Sequence, residues 1–140
     1  MNVLIDTNIL LDFIQHREHY SESEQILTLC AKKEIGGFMA AHSMPNMFYI
    51  LRKNFSDSER REILLTLAEL IPIVNVDHAK IVTALEKQDF ADFEDCLQAE
   101  CAKEIGASYI ITRNVKDFEQ AEITPISAGD FLAIVRTEIK

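Results

Sequence analysis

Two apolar runs in this chain stop abruptly at groups that could do chemistry. Val3-Leu4-Ile5 leads directly into Asp6, Thr7 and Asn8, and Tyr109-Ile110-Ile111 leads into Thr112, Arg113 and Asn114, with Asp117 close behind. Between them, Asp89, Asp92, Glu94 and Asp95 form the densest acidic stretch. Each apolar run reads as a buried strand that delivers polar groups to its own end. Brought together, Asp6, Asp95 or Asp92, Asn114 and Asp117 would make an oxygen-rich cluster. Such hard ligands suit Mg²⁺ or Mn²⁺ and suit zinc badly, because no histidine or cysteine joins them at useful spacing. Simpler roles stand beside these. Asp6 or Thr7 could cap a helix beginning near Ile9, and Asp92 and Asp95 have capping-box spacing at a helix start, where carboxylates are favoured anyway.

The elements that must position these groups alternate in type. After the first strand a short helix spans Ile9 to Ile14, with Asn8, Asp12 and Gln15 as its polar positions, and His16 to His19 breaks it. Ser21 and Glu24 have capping-box form and predict a helix carrying Ile26, Leu27, Leu29 and Cys30, stopped by Gly36-Gly37 before a strand at Phe38 to Ala41. Met44, Met47, Phe48, Ile50 and Leu51 recur at helical spacing, and Pro45 is tolerable only in the first turn, which puts Asn46 near that helix's start. Ser56 and Glu59 offer another capping box for a helix ending before Pro72. Then come a strand at Ile73 to Val76, a helix capped by Asp77, a helix from Cys96 to Ile105 stopped by Gly106, a short strand between Ile123 and Ile126, and a final helix capped near Ser127 to Asp130. Strands joined by helical crossovers give a parallel α/β sheet, and the first and fourth strands are expected to be neighbours at a switch point, sharing one cleft.

Composition narrows the class. At 140 residues and 48% hydrophobic the chain is expected to form a single domain over residues 1–140. No apolar run approaches the ~18 residues that span a bilayer and no leader-like segment is visible, so the expected address is the cytoplasm. Cys30, Cys96 and Cys101 lack metal-binding spacing and read as buried thiols. The four histidines, His16, His19, His42 and His78, look scattered, with solvated or capping roles. A net charge of −9 argues against gripping nucleic acid by a broad basic surface, so any such contact must be local or metal-assisted.

Taken together, Val3-Leu4-Ile5-Asp6-Thr7-Asn8, Asp95-Cys96-Leu97-Gln98-Ala99 with Ala102, and Ile111-Thr112-Arg113-Asn114 with Asp117-Phe118 resemble the PIN-domain ribonucleases, a family that includes the toxin half of many bacterial toxin-antitoxin pairs. The resemblance implies a three-layer α/β/α sandwich on a central parallel sheet of four to five strands. It also implies a Mg²⁺- or Mn²⁺-dependent endoribonuclease with Asp6 and Asp95 as catalytic acids and metal ligands, and Asn114 or Asp117 at the fourth position. Asn8, Asn46, Asp92 and Thr112 are candidates to line the site. The chain departs from the family at the second acid, usually a glutamate near the start of the third helix, where Asn46 stands. Arg52, Lys53, Arg113 and Lys116, with Arg60 and Arg61, are candidate contacts for RNA or a partner, although basic residues on helices are usually just solvated. The partners to test are RNA, an antitoxin and a second copy of the chain. Two other readings stay open. One is a catalytically weakened PIN domain that binds RNA or an antitoxin; the other is an aspartyl-phosphate phosphotransferase, which needs an acid where Asn8 stands.

Overall fold

A computed structural model describes residues 1–139. Its centre is a parallel sheet of β1 (Asn2–Ile5), β2 (Gly36–Ala40), β3 (Ile73–Val74), β4 (Tyr109–Ile111) and β5 (Thr124–Ile126) in the order β3-β2-β1-β4-β5. The helices are α1 (Thr7–Ile14), α2 (Tyr20–Ala31), α3 (Ser43–Ile50), α4 (Asp57–Leu70), α5 (His78–Glu86), α6 (Phe93–Glu104) and α7 (Ala128–Ile139). Single 3-10 turns follow at Leu51–Lys53 and Val115–Phe118. The chain winds one way from β1 through β2 to β3 and the other way through β4 to β5, so β1 and β4 flank the switch point, with Leu4 opposite Ile110 and Ile5 opposite Ile111. The three-layer α/β/α expectation holds.

Strand alternation builds the two cores. Val3, Ile5, Met39 and Ile111 face one side and pack under α1, α2, α3, α4 and α7, where Leu10, Ile26, Met47, Leu67 and Phe131 are buried. Leu4, Ala40, Val74 and Ile110 face the other side under α6 and α5, with Cys96, Leu97 and Phe118. Because β1 is covered on both faces it needs a continuous apolar run, and each large side chain buried there contributes about 1.5–3 kcal/mol.

Local chemistry ended several elements where expected. Ser56 and Glu59 form a full capping box on α4, Asp77 Oδ1 accepts the Lys80 amide at 3.0 Å, and Gly106 closes α6 at φ 61°. Other expectations need correction. Ser21 lies inside α2, which begins at Tyr20, and Glu24 accepts instead from Tyr20 Oη at 3.0 Å. Gly36 and Gly37 lie within β2, since α2 ends earlier and the chain turns at Lys33, φ 60°. β3 stops at Val74, short of Val76. Asp12, a polar position of α1 in the sequence, is wholly buried.

The glycines of β2 have a packing reason. A Cβ at Gly37 would run into Cys30 Sγ, and one at Gly36 would meet Asn2 Oδ1 at 2.5 Å. Gly37→Ala is therefore expected to cost about 1–3 kcal/mol in chemical denaturation, and adding Cys30→Ala should recover much of the loss. An additive double variant would show that the clash is not with the thiol.

Candidate active site

The end of β1 delivers Asp6, and nearly every neighbour of its carboxylate comes from a distant part of the chain. Oδ1 accepts from Gln98 Nε2 of α6 at 2.7 Å, and Oδ2 accepts from Thr112 Oγ1 just past β4 at 2.8 Å. Thr112 Oγ1 also accepts the Asn114 amide at 3.0 Å, which fixes the rotor so that its proton points at Asp6. Asp6 occupies the N-cap position of α1 but makes no side-chain capping bond, so the capping alternative fails for it. Burial pushes its carboxyl above the usual range, and the Thr112 and Gln98 donors and the Arg113 charge pull it back. Asp6 is 4% exposed.

Across a cleft of about 320 Å³ lies Asp95, in the first turn of α6. Asp92 is the cap of this helix, its Oδ1 accepting the Asp95 amide at 2.9 Å; the structural role weighed for Asp92 is the one seen. That bond uses the Asp95 backbone and leaves its carboxylate to the cleft. Desolvation raises the Asp95 pKa to about 7, and the negative charges of Asp92, Asp6, Asp117 and Glu94 add to the rise. Acids whose pKa is lifted by burial and like charge are characteristic of sites built for a cation or a proton.

Of the other sequence candidates, Asn8 and Asn46 line this cleft with Asp6 and Asp95. The placement of Asn46 follows from Thr7 Oγ1 and Ser43 Oγ, 2.7 Å apart, which tie the starts of α1 and α3 together. Asn114 and Asp117 lie outside the cleft lining, although the Asp117 charge reaches Asp95. Arg52 donates to the Tyr49 carbonyl at 2.7 Å and stacks on the Tyr49 ring, Arg60 donates to the Phe48 carbonyl, and Arg61 pairs with Asp57. Lys53 and Lys116 are exposed and Arg113 faces Asp12.

The cleft also holds residues that sequence reasoning passed over. Gln98 is 3% exposed, and because a carboxylate only accepts, its amide must present Nε2 to Asp6, leaving Oε1 without a partner. A glutamine one helical turn after Asp95, amid buried Cys96, Leu97 and Ala99, was the available signal. His42, expected to be solvated or capping, lines the cleft: its Nε2 donates to the Glu94 carbonyl at 3.1 Å and its buried Nδ1 has no partner. Desolvation lowers its pKa and so favours the neutral ring, against the opposing pull of the Glu94 carbonyl. Glu94, part of the acidic stretch that the sequence singles out, also lines the cleft.

The arrangement fits a hard divalent ion. Mg²⁺ needs only one or two carboxylates and keeps several waters, and here Asp6 and Asp95 line the cleft with the amide-bearing Asn8, Asn46 and Gln98. No cluster of three His, Cys, Asp or Glu side chains able to hold an ion occurs among the described residues, so an all-carboxylate cage is absent.

Comparison with known proteins decides the family, because the PIN domain family model matches residues 2–116. The chain belongs to the PIN-domain family. PIN domains are generally nucleases and generally depend on a divalent metal. Three solved structures share the fold. VapBC2 from Rickettsia felis, bound to a DNA fragment from its promoter, is 18% identical, with 91% of this chain and 98% of that chain covered and a TM-score of 0.66. A toxin-antitoxin complex from Klebsiella pneumoniae is 21% identical over 90% and 97%, TM-score 0.66. VapBC-1 from nontypeable Haemophilus influenzae is 17% identical over 92% and 99%, TM-score 0.65. A search of curated proteins finds no match. In this PIN domain, no helix among the described residues is long and apolar enough to cross a membrane.

Thr112 gives the site's support a direct test. Thr112→Val removes one of the two side-chain donors to Asp6, so Mn²⁺ affinity is expected to fall roughly tenfold in calorimetric titration, as for outer-shell partners of metal ligands generally. An unchanged affinity would mean that Thr112 serves only the turn at Asn114.

Proposed function

We propose that this PIN domain is a Mg²⁺- or Mn²⁺-dependent endoribonuclease that hydrolyses RNA phosphodiesters and serves as the toxin of a toxin-antitoxin pair. The observation that carries the reading is the buried Asp6, held by Gln98 and Thr112, facing an Asp95 whose pKa is lifted to about 7. Asp6 and Asp95 would hold the ion, with the amide oxygens of Asn8 and Asn46 and Gln98 Oε1 taking water or ligand positions; Asn114 and Asp117 remain candidates for an outer position on the β4 side. The ion supplies Lewis acidity and local positive charge for an anionic substrate. Gln98 and Thr112 orient Asp6 and favour its ionised form against the burial that raises its pKa. The neutral His42 ring holds the Glu94 carbonyl at the start of α6, beside Asp95. Net charge of −9 is compatible with RNA because the positive field is local.

We further propose that residues 1–140 act as one domain in the cytoplasm, with RNA as substrate and an antitoxin as partner; a homodimer is the third assembly to test. An apolar groove of about 830 Å³ between α1, α2 and α4, floored by Phe13, Leu27 and Leu67 and rimmed by Glu59, Glu62 and Glu69, would suit a basic-flanked antitoxin helix. One observation favours a weakened, RNA- or antitoxin-binding domain as the second reading. Asn46 lines the cleft where the family usually has an acid. Cleavage of defined single-stranded RNAs with and without Mn²⁺, by native protein and by Asp6→Asn, separates the readings: metal-dependent cutting lost in the variant supports hydrolysis, and binding without cutting supports the second.

A further inference from the structure

Most arginines of this protein are tied down. Arg52, Arg60, Arg61 and Arg136 each donate to a neighbouring carbonyl or side chain. Arg17 and Arg113 make no side-chain hydrogen bond among the described residues, and both converge on Asp12 Oδ1, at 3.8 and 3.2 Å. Asp12 is 0% exposed and neither of its oxygens has a hydrogen-bond partner. A carboxylate buried in this way is a poor choice for stability alone, since an apolar side chain of similar size usually does as well or better. The two arginine side chains stay about a third exposed, at 31% and 37%, although the carboxylate between them is buried.

The position of this trio matters. Arg113 directly follows Thr112, which bonds Asp6, and its charge is felt at Asp6. Asp12 lies one turn of α1 beyond Asn8, on the same helix face, and Asn8 lines the cleft. None of the three lines the cleft itself; the trio sits next to it in the chain, one turn along α1 from Asn8 and directly after Thr112. A planar guanidinium fork matches phosphate oxygens bidentately, and two forks held by one buried anion form a preorganised pair.

We propose that Asp12 is a positioning residue that holds Arg17 and Arg113 as a clamp for a backbone phosphate of the RNA strand, beside the bond that is cut. The proposal rests on the ribonuclease reading and gives an otherwise acidic protein a local anion site.

The sign of one substitution tests it. Asp12→Asn removes a negative charge, so a purely long-range electrostatic role predicts tighter RNA binding, whereas a positioning role predicts weaker binding because both guanidinium groups lose their anchor. The measurement is fluorescence anisotropy of a single-stranded oligoribonucleotide with Mg²⁺ over a salt series, in the Asp6→Asn background. The expected result for added Asp12→Asn is binding weakened roughly threefold or more, with a shallower dependence of log Kd on log salt. Added Arg113→Gln should reduce that slope by about 0.7, the share of one single-strand phosphate contact. If Asp12→Asn does not fold, Arg17→Gln and Arg113→Gln, at partly exposed side chains, carry the same slope test. Unchanged or tighter binding by folded Asp12→Asn, no RNA binding by the background protein, or a slope unaltered by Arg113→Gln overturns the clamp. Cleavage of the probe by the Asp6→Asn background counts against the hydrolytic reading alone, and the slopes still decide the clamp.

Discussion

Replacing Asn46 with Glu is expected to tighten Mn²⁺ binding at least several-fold and to raise RNA cleavage above that of the native protein. The side chain at this position lines the cleft with Asp6 and Asp95, so the substitution adds one negative charge within reach of the ion. At a separation near 4 Å and an effective dielectric near 20, a unit-charge contact is worth roughly 4 kcal/mol, and about twice that for a divalent ion, before desolvation and acid-acid repulsion remove much of it. A surplus of ~1.4 kcal/mol is already tenfold in affinity. The same repulsion should make the metal-free variant less stable, so saturating Mn²⁺ should raise its Tm more than it raises that of the native protein. Calorimetric titration and thermal melts check both halves. An unchanged affinity in a folded variant would remove Asn46 from the site.

Asp95→Asn is expected to act in the opposite direction on two observables at once. Removing one of two carboxylates should weaken Mn²⁺ binding by roughly 100-fold or more, the factor that ~3 kcal/mol of lost attraction gives. The metal-free variant should nevertheless be more stable than the native protein at pH 8. Desolvation and neighbouring acids raise the Asp95 pKa to about 7 from 3.8, so the folded state binds its proton more tightly than the unfolded state does. Native stability therefore falls as pH rises from about 4 to about 7, and the asparagine, which cannot ionise, escapes that loss. Allowing for solvent screening of a part-exposed group, the gain at pH 8 is about 1 kcal/mol, and it should vanish near pH 4. For the native protein, Mn²⁺ affinity should rise up to tenfold per pH unit below 7 and level off above, because the ion must displace that proton. A variant less stable than native protein at pH 8 would mean that the Asp95 carboxylate supports the helix start rather than the cleft.

How far the site could be read from sequence depends on how local its causes are. Asp6 was legible because an apolar run covered on both faces can only be an interior strand, and the next residue must then emerge at its end. Asp95 was legible through α6, whose Asp92 cap and Gly106 stop are sequence-local. The pairing of β1 with β4 followed from the crossover rules. Contacts set by packing were not legible. The position of Gln98 one turn after Asp95 marks it on α6 but does not say that its amide meets Asp6 at the end of β1, and the Thr7–Ser43 contact beside Asn46 joins two helices far apart in sequence. Asp12 reads as a polar position of α1 in the sequence, and its burial beside Arg17 and Arg113 involves residues beyond the helix. The glycines of β2 looked like a helix stop, and their actual constraint is the close approach of Cys30 and Asn2.

The cleft around Asp6 is proposed to hydrolyse RNA with a divalent ion. The most direct test is a time course of defined single-stranded RNA with purified native protein and the Asp6→Asn variant, each in Mn²⁺ and in EDTA. The account predicts discrete internal cuts by the native protein in Mn²⁺ only, and none by folded Asp6→Asn. Equal cleavage by both proteins, or native cleavage that persists in EDTA, would contradict it.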